Sequence, residues 1–147
     1  MKRRSFLSAA GGTGLLGLLG SSCSRQPAET GRKKLFSFIH FTDIHIQPER
    51  AGDKGFLQAI DAMNALKADF AVSGGDLVND ALGVDESRAV MLYDMYTDCC
   101  RKFDLPVHQV IGNHELFGIY VPDIVSPDHP EWGKEMFKRR IGEGRTY

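Results

Sequence analysis

Cysteine is scarce here, and its spacing is uninformative for metals. Of the three cysteines in the 147 residues, no two stand in a C-x-x-C spacing. Cys99 and Cys100 are adjacent, so on a helix they point about 100° apart and cannot easily share an ion. Buried free thiols are the expectation, with a disulfide to a later cysteine left open by an oxidising compartment. Charge of one sign is also lacking. The formal net charge is −1, which removes the basic footprint of a nucleic-acid binder. No apolar run is long enough for a comfortable membrane span. No internal repeat is present. What remains is 42% hydrophobic and 25% charged, the balance of a globular domain, at a length that suits one domain.

The first residues read as a targeting segment. Met1-Lys-Arg-Arg-Ser-Phe-Leu is basic and then apolar, and it leads into a short Gly-rich stretch ending at Gly20. Arg3-Arg4-Ser5-Phe6-Leu7 resembles a twin-arginine export signal, whose cargo crosses the membrane folded. Leu19-Gly-Ser-Ser-Cys23 resembles a bacterial lipobox with the leucine one position too far from Cys23. Residues 1–23 are therefore expected to be an export signal with possible lipidation at Cys23. Residues 24–34, polar with Pro27 and Gly31, are expected to be a flexible tether. Localisation would be periplasmic or membrane-anchored in a bacterium, with the export machinery as a partner. Residues 35–147 would be the folded part.

The folded part is organised around Phe36 to Ile46, an apolar segment running into Asp43 and His45. In a strand, residues two apart project to the same side, so a carboxylate and an imidazole would leave together. That pair suits a hard or borderline cation. Alone, Asp-x-His is a weak signal, equally satisfied by a capping Asp and a surface His. Two further stretches repeat the theme. Ala68 to Ser73 reads as a strand delivering Gly74-Gly75-Asp76, and Leu105 to Ile111 reads as a strand delivering Gly112-Asn113-His114-Glu115. Between them lie helical patterns. Asp53 is a plausible N-cap before Phe56, Ile60, Met63 and Leu66. Asp85 to Phe103 is a second helix with Ala89, Leu92, Tyr93, Tyr96, Cys99, Cys100 and Phe103 inward. Asn79 and Asp80 follow a few residues on from Asp76, and Asp80 reads as a turn former. His40 and His108 read as packed or edge residues, and His129 as solvent-facing. Glu131 to Arg140 reads as an amphipathic helix with Trp132, Met136 and Phe137 inward.

Strands alternating with helices predict an α/β fold with a mainly parallel sheet. In such sheets ligands gather beyond the carboxyl ends of the strands, where all three motifs fall.

At these residues the chain resembles the calcineurin-like metallophosphoesterases, over about Leu35 to Leu116. Asp43-Ile-His45, Gly75-Asp76 and Gly112-Asn-His-Glu115 match that family's first three blocks in order. The resemblance implies part of a metallophosphoesterase fold, half of a four-layer α/β/β/α sandwich. It implies that Asp43 and His45 hold one metal, that Asp76 bridges two, and that Asn113 ligates the second. It implies that His114 reaches the substrate phosphate and steadies or protonates the leaving oxygen. Two cations some 3.5–4 Å apart would neutralise a phosphate ester and activate a water. Iron, manganese or zinc, divalent or trivalent, would fit such ligands. The family's later blocks, a lone His and then Gly-His-x-His, have no match, and no His follows His129. The resemblance therefore predicts the N-terminal part of a longer phosphoesterase, inactive alone, acting on phosphomonoesters or phosphodiesters. Two other readings stay open: a non-catalytic exported metal-binding or scaffold module, and an exported lipoprotein whose carboxylates are only structural.

Overall fold

The structure is a computed structural model and describes residues 33–142. The expected export signal at Arg3-Arg4, Cys23 and most of the expected tether lie outside those residues. Among the described residues no helix is long and apolar enough to cross a membrane.

Three strands, β1 (Phe38–Phe41), β2 (Phe70–Ser73) and β3 (Val107–His108), form a parallel sheet in the order β1-β2-β3. Phe38 pairs with Phe70, Phe41 with Ser73, and Ala71 with Val107. The crossovers are α1 (Gly52–Ala65) and α2 (Glu86–Cys100). This is the α/β arrangement with flanking helices that the alternating patterns predict.

Both helices bury the stripes their spacing foretells. Phe56, Ile60 and Met63 of α1 meet Ala89, Leu92, Tyr93, Tyr96 and Cys99 of α2 in one core. Phe56 stacks on Tyr96 at 5.5 Å and tilts against Phe41 of β1 at 5.9 Å. Each large side chain buried there contributes about 1.5–3 kcal/mol. Asp85 caps α2: its Oδ1 accepts from the Arg88 N–H at 2.9 Å and the Ser87 hydroxyl at 2.7 Å. Both thiols are free. Burial pushes Cys99 up and Cys100 to about 11, so neither forms a thiolate readily.

Several boundaries differ from the sequence reading. Asp53 does not cap α1. The helix starts at Gly52, and Ala51, in the left-handed region at φ 51°, occupies the N-cap without a side-chain bond. The cause is a 3-10 turn at Pro48–Arg50 that feeds straight into the helix. Leu66 is 69% exposed, because α1 ends at Ala65 and the chain turns through Lys67 at φ 53°. Phe103 lies past the end of α2, yet still stacks on Phe41 at 5.6 Å. The third strand pairs only over Val107–His108. Beyond it, the Val110 N–H donates to the Ser73 hydroxyl at 3.0 Å instead of continuing the ladder.

The last helix, α3, spans Glu135–Arg140, starting later than Glu131. Phe117 and Gly133 exchange two backbone bonds, at 2.9 and 2.8 Å, and the Trp132 N–H turns back onto the His129 carbonyl, so the residues before the helix form turns instead. Met136 and Phe137 are buried as expected, but Trp132 falls outside the helix and is exposed. His129 is not solvent-facing: it is partly covered, 3.5 Å from Glu86 and edge-on to Phe117.

The helices cover one sheet face. The other carries Phe38, His40, Phe70 and His108. Phe38 and Phe70 stack at 5.6 Å with Phe38 54% exposed.

Candidate metal centre

The two loops after β1 and β2 run side by side like an irregular continuation of the ladder. The Asp43 N–H donates to the Gly75 carbonyl at 3.1 Å, the His45 N–H to the Asp76 carbonyl at 3.0 Å, and the Ile46 N–H to the Leu77 carbonyl at 3.0 Å. Asp43, His45 and Asp76 all sit in the left-handed region, at φ 57°, 45° and 53°. Each such residue costs about 1 kcal/mol or more, so the surroundings hold them there. Strand alternation is therefore not what aligns Asp43 with His45. β1 ends at Phe41, and the alternating left-handed residues bring the pair together.

A third loop completes the site. Gly75 and Gly112 meet backbone to backbone. A Cβ on Gly75 would stand 2.6 Å from the Gly112 nitrogen, and one on Gly112 would stand 2.2 Å from Asp76 Oδ1. Only hydrogen fits at either position. The contact draws the His114 turn against Asp76, whose Oδ1 accepts the His114 N–H at 3.2 Å.

The outcome is a cluster. His45, Asp76 and His114 each place a donor atom within 4.8 Å of the others. His45 Nε2 lies 3.7 Å from Asp43 Oδ1 and 4.0 Å from Asp76 Oδ2. These are too long for hydrogen bonds. Donors about 2.1 Å from a shared ion stand roughly 3.0–4.2 Å apart, so both separations suit a cation between them. Two carboxylates with imidazole nitrogens are also the right chemistry for iron, manganese or zinc. Among the described residues, His45 is the one ion-pair partner within reach of either carboxylate, so negative charge is left to attract a cation.

The rings of His45 and His114 meet edge-on at 4.4 Å. His114 Nδ1 faces the Asn79 carbonyl. A carbonyl only accepts, so Nδ1 must carry the proton and Nε2 is the atom left for an ion or a substrate. Asn113 is exposed beside it, on the same turn. Asp43 is exposed at the rim, held by the Thr42 hydroxyl at 2.7 Å. All five candidate residues thus belong to three adjoining loops, with His45, Asp76 and His114 at the middle. A hollow of about 570 Å3 lined by Leu57, Met91 and Met95 contains none of them.

Two contributors escape a sequence reading. Asn79 acts through its carbonyl, which no side-chain pattern reports. Glu115 is fully buried, and its carboxylate accepts four backbone N–H groups. Burial pushes that carboxyl above its ordinary value, against the pull of the four bonds. Its signal in the sequence is only that an acid ends the Gly-Asn-His-Glu run.

The chain belongs to the calcineurin-like phosphoesterase family, whose model matches residues 36–144. Among solved structures it is similar to a dimetal phosphatase from Danio rerio, at 18% identity and a TM-score of 0.49. That similarity covers 56% of this chain and 31% of the other, so the chain spans about a third of that protein's length. No curated protein matches it.

Proposed function

We propose that this chain carries the first ligands of a dinuclear metal centre that hydrolyses phosphate esters. The observation that supports it most is the convergence of His45, Asp76 and His114, with Asp43 at 3.7 Å from His45, in a member of this family. In this reading Asp43 and His45 would hold one ion, Asp76 would be shared by both, and Asn113 would offer a neutral oxygen to the second. Bound there, the ions would supply charge neutralisation and an activated water. Asp76 uses one carboxylate oxygen to accept the His114 N–H, which keeps the other turned toward His45. His114 is held by the Asn79 carbonyl so that Nε2 faces the reacting group. Nε2 can hand a proton to the leaving oxygen only from the doubly protonated ring, since Nδ1 keeps its own. Such general-acid help contributes about a hundredfold or more.

A second reading, metal binding without turnover, is favoured by the donor count. The Gly-His-x-His block found in the family pattern does not occur in these 147 residues. Turnover by this chain alone is therefore expected to be low until further ligands are supplied. The export signal at Arg3-Arg4 and a lipid at Cys23 belong to the same proposal and rest on sequence. Membrane fractionation of Cys23→Ser tests them, with release from the membrane expected.

The deciding experiment is equilibrium dialysis against Mn(II), Fe(II) and Zn(II), followed by assay with p-nitrophenyl phosphate and its diester. The expected result is bound metal in the wild type and loss of most of it in Asp76→Asn. Equal metal in both would remove the metal reading. Bound metal with no hydrolysis of either ester would favour the second reading.

A further inference from the structure

We propose that Glu115 is the positioning residue of the centre, fixing the Asp76 turn against the Gly112–His114 turn. The inference rests on the metal reading above but assigns a task to a residue that touches neither ion nor substrate. Glu115 is 0% exposed. Its Oε1 accepts the Leu77 N–H at 2.7 Å and the Val78 N–H at 3.0 Å. Its Oε2 accepts the Asp76 N–H at 2.9 Å and the Gly112 N–H at 2.7 Å. Among the described residues no Lys, Arg or His lies in ion-pair range of it. An unpartnered buried carboxylate is costly, so the four N–H groups are its counter-charge.

Three of those donors are consecutive. Asp76, Leu77 and Val78 all turn their N–H groups inward onto one carboxylate, a nest of the kind that binds anions. The curl requires Asp76 to adopt its left-handed conformation, and the carbonyl side of the same stretch then pairs with the His45 and Ile46 N–H groups. With the backbone fixed on both sides, the Asp76 side chain points at His45 and the His114 N–H. The fourth donor, Gly112, belongs to the turn that carries His114. One carboxylate thus sets the distance between the two turns that supply the central ligand and the proton-bearing ring.

Glu115 is itself anchored from the core. The Tyr93 hydroxyl of α2 donates to the Glu115 carbonyl at 2.6 Å. Only a carboxylate can do this work. It offers about four lone-pair sites and no donor, whereas an amide turns an NH2 toward two N–H groups and loses both bonds.

The test uses the 147-residue chain as wild type, Glu115→Gln, Glu115→Asp and Asp76→Asn. Amide hydrogen exchange is read by NMR without metal, and Mn(II) binding is read by electron paramagnetic resonance. In Glu115→Gln, exchange should rise about tenfold or more at Asp76, Leu77, Val78 and Gly112, with Ile60 and Leu92 unchanged. Its Mn(II) dissociation constant should rise about ten- to a hundredfold. Glu115→Asp keeps the charge and should recover part of both. Unchanged exchange at the four amides overturns the proposal. So does raised exchange with wild-type Mn(II) affinity, since Glu115 would then be merely structural. If Glu115→Gln does not fold by circular dichroism, Glu115→Asp decides: intermediate values support the role and wild-type values overturn it. If wild type and Asp76→Asn bind Mn(II) equally, the metal reading has failed, and the four amides alone then judge whether Glu115 sets the turns.

Discussion

Two aromatic clusters meet the sheet from opposite sides. On the helix side, Phe41, Phe56, Tyr96 and Phe103 pack with ring separations of 5.5 to 6.1 Å. On the other, Phe36, Phe38, Phe70 and His108 pack at 5.6 to 6.4 Å. The ring geometry is nearly the same. The burial is not: Phe56 is 3% exposed and Tyr96 0%, against 57% for Phe36 and 54% for Phe38. Ring contact does not make a core. Only the inner cluster is closed off from water by this chain's own helices, and water exclusion is what supplies the stabilisation.

The contrast can be broken by substitution. Phe56→Ala should have the largest effect, a loss of about 3–5 kcal/mol in urea unfolding. Tyr96→Phe should come next. It removes the hydroxyl that donates to Gln109 at 2.8 Å and should cost about 1–2 kcal/mol by the same measurement. Phe38→Ser should be smallest, within about 0.5 kcal/mol, as for other exposed positions. It should also reduce any self-association seen by sedimentation. If Phe38→Ser destabilised the chain as much as Phe56→Ala, the outer cluster would have to count as core.

Much of the fold was legible because its signals are local. The 3.6-residue stripe of Phe56, Ile60 and Met63 and the apolar face of Ala89, Leu92, Tyr93 and Tyr96 were sufficient for both long helices. Leu66 continued the stripe in sequence but not in space, since nothing in the spacing marks where α1 unwinds. Trp132 misled for a similar reason: the pairing of Phe117 with Gly133 delays α3, and it joins residues far apart in the chain. For the site, residue types in three motifs, two of them Gly-flanked, pointed to loops that adjoin in the structure. The reason offered for Asp43 and His45 was incomplete, because the period-two rule stops where β1 stops. Left-handed conformations at Asp and His leave little trace in sequence. Glu115 was invisible as a bracing group because three of its four donors lie 37 to 39 residues away.

The face-to-face meeting of Gly75 and Gly112 has an evolutionary corollary. The two loops touch where neither has a side chain, so no compensating change elsewhere could make room for a methyl group. A library randomised at these two codons and screened for metal retention should return glycine at both, while the neighbouring codon for Asn113, exposed at the rim, should accept other residues on steric grounds.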